Sequence, residues 1–406
     1  MEALIARPQY LDDLISLRGK DVIKVVTGIR RCGKSTLFEL YINHLLNEGA
    51  SERNIVHVNL EYPEYGYLES HMDLYDYIKN LLQEDGMNYI FIDEVQVIPE
   101  FQKAIAGLFA RKNCDVHITG SNASILSGEL ATLLSGRYIE IKMLPLSFKE
   151  YVSAFDDASD LPLKYQNYLR RSSFPYALQF ENEKDIRAYL AGIFDSVLLK
   201  DIVMRKSIKD VANLKRITSF LFDNIASITS STKIANTLSS SGRKTSVHTV
   251  ESYIDALTTA FVMYKATRFD IKGRQHLATG AKYYLVDIGL RYYLLGDRNA
   301  DRGHMLENVV YLELLRRGFE VSVGKMGTTE VDFVAQGPHG PEYYQVAYSL
   351  QGDDLKEGMS VIDRELRSLD AIKDNYPKYL LTMDYGLPET HNGIQQRYVL
   401  DWLLDK

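Results

Sequence analysis

Cysteine is nearly absent: two in 406 residues, Cys32 and Cys114. Two thiols cannot build a disulfide framework or a zinc cage, and such usage fits a reducing cytoplasm. Long apolar runs are missing too; none approaches the ~18 residues that a membrane-crossing helix needs. The opening stretch MEALIARPQYLDD lacks the charged-then-apolar build that directs export, so a cytoplasmic chain without membrane contact is expected. Nor is positive charge in excess. With 47 basic against 54 acidic residues and a net charge of −7, the chain is no nucleic-acid coat, although a local basic patch stays open. No internal repeat or low-complexity tract interrupts it. What remains is a globular composition, 46% hydrophobic and 25% charged. At this length one ordinary core is exceeded, and roughly two to four domains are expected.

The most informative stretch is VIKVVTGIRRCGKST, residues 22–36. Val22, Ile23, Val25 and Val26 read as a buried parallel strand, broken at Gly28 and followed by a helix from about Lys34. Between them, GIRRCGKS satisfies G-x-x-x-x-G-K-[ST]. Glycines let the backbone turn so that successive N–H groups face a phosphate, and the helix adds its positive end. Gly28, Ile29, Arg30, Arg31, Cys32, Gly33, Lys34, Ser35 and Thr36 are therefore the candidate contacts to a nucleotide. Lys34 is long enough to reach the β- and γ-phosphates, and Ser35 offers a hard oxygen to Mg²⁺. Cys32 reads as a small residue accommodated in the loop rather than a redox group.

Apolar spacing predicts an amphipathic segment over 7–18, a helix over 36–46 ended by Gly49, a strand over 55–60 and a helix over 74–82. Glu61 then falls at the carboxyl edge of the sheet, where open α/β folds bind ligands. Tyr89-Ile90-Phe91-Ile92 runs into Asp93-Glu94. That places two acids at the same edge as the glycine loop, Asp93 to hold Mg²⁺ and Glu94 to polarise an attacking water. A fourth strand over 115–119 leads to Gly120-Ser121-Asn122, whose amide could orient that water. Residues 126–134 read as helix, and Arg137 precedes a fifth strand over 138–141, either as a surface cation or one that reaches a neighbouring subunit's nucleotide.

These residues resemble an AAA+ ATPase. GIRRCGKST resembles Walker A, YIFIDE resembles Walker B, HITGSN resembles the sensor-1 strand with Asn122 at its tip, and Arg137 resembles the arginine finger by position. MLPLSFKEY, residues 143–151, is similar to the segment closing the ATPase core in a large family of prokaryotic AAA-type ATP-binding proteins that carry a C-terminal domain of unknown function. The resemblance implies ATP and Mg²⁺ binding with hydrolysis, and Lys34, Glu94, Asn122 and Arg137 as catalytic residues. One departure is Ser172-Ser173-Phe174-Pro175, where the family usually has a glycine pair before Phe-Pro; it puts a lid contact from Arg170 or Arg171 in doubt.

Beyond the ATPase, 185–206 reads as one linking helix. Helices over 213–225, 232–238 and 246–260, then strands over 262–269 and 282–286, follow the order of a winged helix. Its DNA reading would put Ser246, His248, Thr249 and Ser252 near bases and Arg243, Lys244, Lys272 and Arg274 on phosphate. Glu251, Asp255 and the absence of arginine on the third helix speak against it. From residue 305 onward, a helix with Glu307, a strand with Asp332 and a strand with Gln345 resemble the PD-(D/E)xK nuclease core. Ala347 stands where that chemistry needs a lysine, so a scaffold is expected there. A charged helix is expected over 356–372, and Trp402 is expected to pack.

The expected fold class is α/β. It comprises a parallel-sheet P-loop NTPase domain of AAA+ type (1–152), a helical linker or lid (153–206), an all-α/winged-helix domain (207–298) and an inactive nuclease-like α/β domain (299–406). The expected activity is Mg²⁺-dependent ATP hydrolysis coupled to conformational change. The alternatives are an ATP-dependent DNA-binding or DNA-cleaving protein, and a non-hydrolysing nucleotide switch recruiting a protein partner. Candidate partners are ATP, further copies of the chain, DNA or another protein.

Overall fold

A computed structural model describes residues 5–126, 134–157, 159–197, 202–203, 208–240, 242, 244–297, 302–351, 353–354, 359–386 and 389–405. The chain forms two compact units, Met1–Pro145 with Thr259–Phe261 and Leu146–Thr258 with Val262–Lys406.

The first unit begins with α1 (Pro8–Ser16), whose proline stands in the first turn, where a missing N–H breaks no helix bond. It continues β1 (Ile23–Thr27), α2 (Lys34–Asn47), β2 (Ile55–Asn59), α3 (His71–Leu81), β3 (Asn88–Asp93), α4 (Phe101–Phe109), β4 (Cys114–Gly120) and β5 (Tyr138–Lys142). The strands form one sheet in the order β2-β3-β4-β1-β5, every neighbouring pair parallel. β4 thus separates the glycine-loop strand from the acid-bearing strand. Both faces are covered, which is why β1 and β3 read as continuous rather than alternating apolar runs. Ile23, Val25, Ile90 and Ile92 share one buried cluster with Leu74, Ile78, Ile105 and Leu108. The opposite face is aromatic: Phe38 meets Phe91 edge-on at 5.1 Å, and Phe91 stacks on His117 at 4.6 Å. Lys24 also lies on that face, fully buried, its charge met by Asp115 at 2.5 Å.

Helix α4 has no counterpart in the sequence reading; Gly107 inside it leaves room for the Tyr75 ring, 2.8 Å from where a Cβ would stand. The helix expected over 126–134 lies almost wholly outside the described residues.

The second unit starts with helices α5 (Phe148–Ser153), α6 (Leu161–Arg171), α7 (Glu183–Asp195), α8 (Val211–Asp223), α9 (Ser231–Ser240) and α10 (Val247–Thr259). Strands β6 (Met263–Asp270) and β7 (Gln275–Leu285) form a hairpin, followed by α11 (Ile288–Leu295) and α12 (Arg302–Arg316). Then come β8 (Glu320–Met326), β9 (Thr329–Gly337), β10 (Gly340–Ala347), the short ribbon β11 (Asp353–Asp354) and β12 (Met359–Ser360), and α13 (Val361–Asp370). The chain closes with β13 (Lys378–Thr382), β14 (Glu389–His391), β15 (Ile394–Tyr398) and α14 (Val399–Leu403). One eight-stranded sheet runs β14-β15-β13-β10-β9-β8-β6-β7. Arg268–Asp270 of β6 pair in parallel with Val323–Lys325 of β8, so the hairpin expected as a wing is the edge of this sheet, which crosses the expected boundary at 298.

Two helices differ from expectation. The one over 185–206 is α-helical only through Asp195, and part of its remainder lies outside the described residues. The one over 356–372 begins at Val361, because Ser360 belongs to β12 and its hydroxyl caps the helix by accepting from Asp363 N–H.

Candidate nucleotide-binding site

The glycine loop leaves β1 at Thr27 and enters α2 at Lys34. At Gly28 a Cβ would stand 2.2 Å from the Met143 carbonyl oxygen, so no larger residue fits where β1 passes the end of β5. Gly33, at φ +104°, is the N-cap of α2 and, without a side chain, caps none of its first-turn N–H groups. The first-turn N–H groups are thus left for a ligand, and they sit at the positive end of the helix. Arg7 braces the loop from behind. Almost wholly buried, it donates to the Cys32 carbonyl at 2.9 Å and the Leu144 carbonyl at 2.6 Å. Cys32 is fully buried, and burial raises its thiol pKa against the pull of Lys34 and Arg7, which leaves an inert packing residue. At the rim, Arg30 pairs with Glu61 at 2.5 Å.

Lys34 is buried and turns back on its own loop, donating to the Gly28 carbonyl at 3.1 Å and the Ile29 carbonyl at 3.3 Å. Its ammonium also stands 3.2 Å from Glu94 Oε1. Burial works against the charge, yet Glu94, Cys32 and Asp93 together outweigh it and hold the Lys34 pKa above its ordinary value. Glu94 is likewise held low: burial opposes ionisation, while Lys34, Ser121 and Gln96 favour it. The structure therefore brings Lys34, at the start of α2, and Glu94, just past β3, together as a buried ion pair.

Asp93 is fully buried, its Oδ1 accepting from the Thr119 hydroxyl at 2.9 Å and its Oδ2 2.9 Å from His57 Nε2. Thr119 Oγ1 in turn accepts from the Glu94 N–H at 2.9 Å, so one hydroxyl positions both acids. Sequence reasoning missed Thr119, His57 and Arg7. Thr119 stands one residue before Gly120 on the adjacent strand, a signal that only the strand order makes visible. Asn122 is buried, and its side-chain oxygen accepts from Ser124 N–H at 2.8 Å. From the β4 end it is Ser121 that bonds Glu94, and Gln96, two residues past Glu94, donates to Glu94 Oε2 at 2.5 Å and Ser121 Oγ at 3.3 Å. Arg137 is exposed, and its carbonyl accepts from the Ile23 N–H at 2.8 Å, at the start of β1. That is the opposite edge of the sheet from the loop, about 16 Å away along a five-residue strand. It cannot serve the nucleotide of its own chain.

Ser35, on the first turn of α2, and Asp93, at the end of β3, each offer a hard oxygen of the kind Mg²⁺ takes. The uncapped helix end beside the Gly28 cradle fits the phosphates that would complete its shell.

In the second unit, Glu307 and Asp332 converge on a lysine that sequence reasoning missed. Lys282, from β7, meets Glu307 at 2.7 Å, Glu330 at 2.6 Å and Asp332 at 3.4 Å. Asp332 Oδ2 also accepts from Val346 N–H at 2.9 Å, and Gln345 donates to Glu365 at 2.7 Å. An ammonium thus enters the cluster from the hairpin although Ala347 supplies none. Among the described residues, no group of three or more His, Cys, Asp or Glu is arranged to hold a metal ion. Ser246, His248 and Ser252 are exposed at α10 with Glu251 and Asp255, while Lys244, Lys272 and Arg274 are exposed nearby in sequence; Arg243 lies outside the described residues.

A parallel β2-β3-β4-β1-β5 sheet with its glycine loop after β1 and paired acids after β3 defines a P-loop NTPase fold of AAA type. Residues 20–152 match the AAA domain, and residues 163–301 match a domain of unknown function. An uncharacterized protein of Haemophilus influenzae is 42% identical over 99% of both chains. One of Methanocaldococcus jannaschii is 28% identical over 86% of this chain and 79% of its own. The chain belongs to this prokaryotic family, which joins an AAA domain to a domain of unknown function. Among solved structures, a Walker-type ATPase of Pyrococcus abyssi is similar at 15% identity, covering 71% of this chain and 95% of that one, with a TM-score of 0.47. Among the described residues, no helix is long and apolar enough to cross a membrane.

Proposed function

We propose that the chain binds ATP in the 28–36 loop and hydrolyses it by in-line attack of water on the γ-phosphate. The observation that carries this reading is the 3.2 Å contact between Lys34 and Glu94. It puts the loop's cation and a strand-end carboxylate within one phosphate's reach of each other. When ATP enters, Lys34 exchanges Glu94 for phosphate oxygens, and the freed Glu94 carboxylate accepts the proton of the attacking water. Loop N–H groups carry the charge that develops on the phosphate oxygens. Ser35 and Asp93 would hold Mg²⁺, whose chemistry when bound is to neutralise charge on the β- and γ-phosphates. Asn122 faces the γ-phosphate from the adjacent strand end, and Arg137 acts on the nucleotide of a second copy.

We read residues 1–152 as the motor, 153–206 as the linker, and 207–298 with 299–406 as the parts whose conformation follows the nucleotide, in a cytoplasmic protein. The acidic α10 face favours a protein partner, or a second copy, over DNA. Glu94→Gln should keep ATP binding, measured with a fluorescent analogue, and slow phosphate release by at least ~10²-fold. Turnover at the parental rate would refute the assignment of the base. Tight binding with negligible release by the parent chain would establish the non-hydrolysing switch instead.

A further inference from the structure

Within the second unit lies a cavity of about 410 Å³ that the ATP reading does not use, of the size that takes small organic ligands. Its walls are tyrosine-rich: Tyr165, Tyr292, Tyr348 and Tyr398 line it, with Met305 and Met383 between them. Two of its polar groups stand out. Tyr165 is 2% exposed, and among the described residues its hydroxyl has no hydrogen-bond partner. A buried hydroxyl that lines a cavity is free to donate to an acceptor placed there. Burial among Tyr168, Tyr348 and Tyr292 keeps this hydroxyl protonated, so it can only be a donor to an incoming acceptor or a weak acceptor itself.

The second group is Arg302. Its guanidinium lies over the Tyr348 ring at 5.6 Å, and among the described residues no carboxylate pairs with it. The other charges around the cavity are satisfied. Arg170 is paired with Asp297, and Asp384 accepts from Leu350 N–H at 2.6 Å and Ser349 Oγ at 3.2 Å. Among the described residues, the uncompensated charge at the cavity is therefore positive and backed by an aromatic face, a geometry that receives a planar anion.

We propose that this cavity binds a small planar aromatic anion: its ring between the tyrosines, an acceptor atom on the Tyr165 hydroxyl, and its carboxylate or phosphate on Arg302. Its residues all belong to the second unit, and the proposal stands whether or not the glycine loop hydrolyses ATP.

Isothermal titration calorimetry of the full chain with AMP and with indole-3-carboxylate separates phosphate from carboxylate ligands, and adenosine serves as the uncharged control. The expected result is saturable binding of at least one anion, unchanged in Lys34→Ala. It should weaken about five-fold in Tyr165→Phe, for one neutral hydrogen bond, and at least about ten-fold in Arg302→Ala, for a charged one. Both substitutions should leave the fold intact, since one removes a single unpaired oxygen and the other truncates an exposed side chain. The proposal is overturned if neither anion binds saturably up to ~1 mM, if both variants bind as the parent does, or if all binding vanishes with Lys34→Ala.

Discussion

Removing the ammonium of Lys34 should destabilise the nucleotide-free protein and not merely abolish ATP binding. Lys34 and Glu94 stand 3.2 Å apart with side chains only 4% and 10% exposed. At an effective dielectric of 20 their attraction is about 5 kcal/mol, most of it offset by desolvation of both ions. Lys34→Ala leaves Glu94 buried without its cation, a loss of ~3 kcal/mol, the low end for a broken buried pair because Gln96 and Ser121 still bond the carboxylate. Adding Glu94→Gln removes the stranded charge. The double variant should then be more stable than the sum of the singles predicts by ~2 kcal/mol. Urea denaturation of the four proteins without nucleotide, followed by far-UV circular dichroism, closes this cycle. A coupling below ~0.5 kcal/mol would show that the pair contributes nothing and that the loop is not held by Glu94. The pH dependence has a definite sign. Because Glu94 titrates below its ordinary 4.5 when folded, the unfolded chain binds more protons in that interval. Its stabilisation is complete above about pH 4.5 and lost as pH falls through the folded value, and Lys34→Ala, which removes the main charge holding Glu94 low, should shrink that loss.

Arg7→Ala should cost ~2 kcal/mol, since two carbonyls lose a buried charged donor, and should weaken binding of a fluorescent ATP analogue through a loosened loop. Unchanged affinity and melting temperature would remove Arg7 from the account of the site. Ser172→Gly should leave the melting temperature nearly unchanged: Ser172 has φ +88° and ψ 151°, a region that disfavours side chains by ~1–3 kcal/mol, and relief of that strain is offset by loss of the hydroxyl's bonds with Phe174 N–H and the buried Asp287 carboxylate, together ~2–3 kcal/mol. A shift of more than ~5 °C either way would contradict that balance. Lys282→Met should destabilise by ~3–5 kcal/mol, by leaving Glu307 and Asp332 together without a cation. Burial, with Asp332 adding and Lys282 opposing, pushes Glu307 up to about 8. Its contribution is therefore present below 4.5 and fades as pH rises through about 8, so Glu307→Gln should flatten that decline in thermal melts.

The glycine loop, its strand and helix, and the acids ending β3 were legible in the chain because each is a local pattern: turn-forming glycines, a run buried on both faces, a charge where the run stops. The helix order over 211–259 was legible for the same reason. Ser172 shows the limit of reading a departure from a motif. Ser172 has a positive φ of the kind glycine adopts freely, so the turn has that shape with a side chain on it, and the side chain bears the strain.

Sequence alone determined that a phosphate loop and paired carboxylates exist and that both end strands, because short-range periodicity and residue chemistry encode local conformation and burial. Tertiary structure decided what they touch. Thr119 meets Asp93 across 26 positions of sequence, Arg7 meets Leu144 across 137, and Lys282 meets Asp332 across 50. The same holds for the hairpin that joins the larger sheet and for the edge on which Arg137 lies. Contacts at such separations follow from strand order and register, and no periodicity along the chain records them.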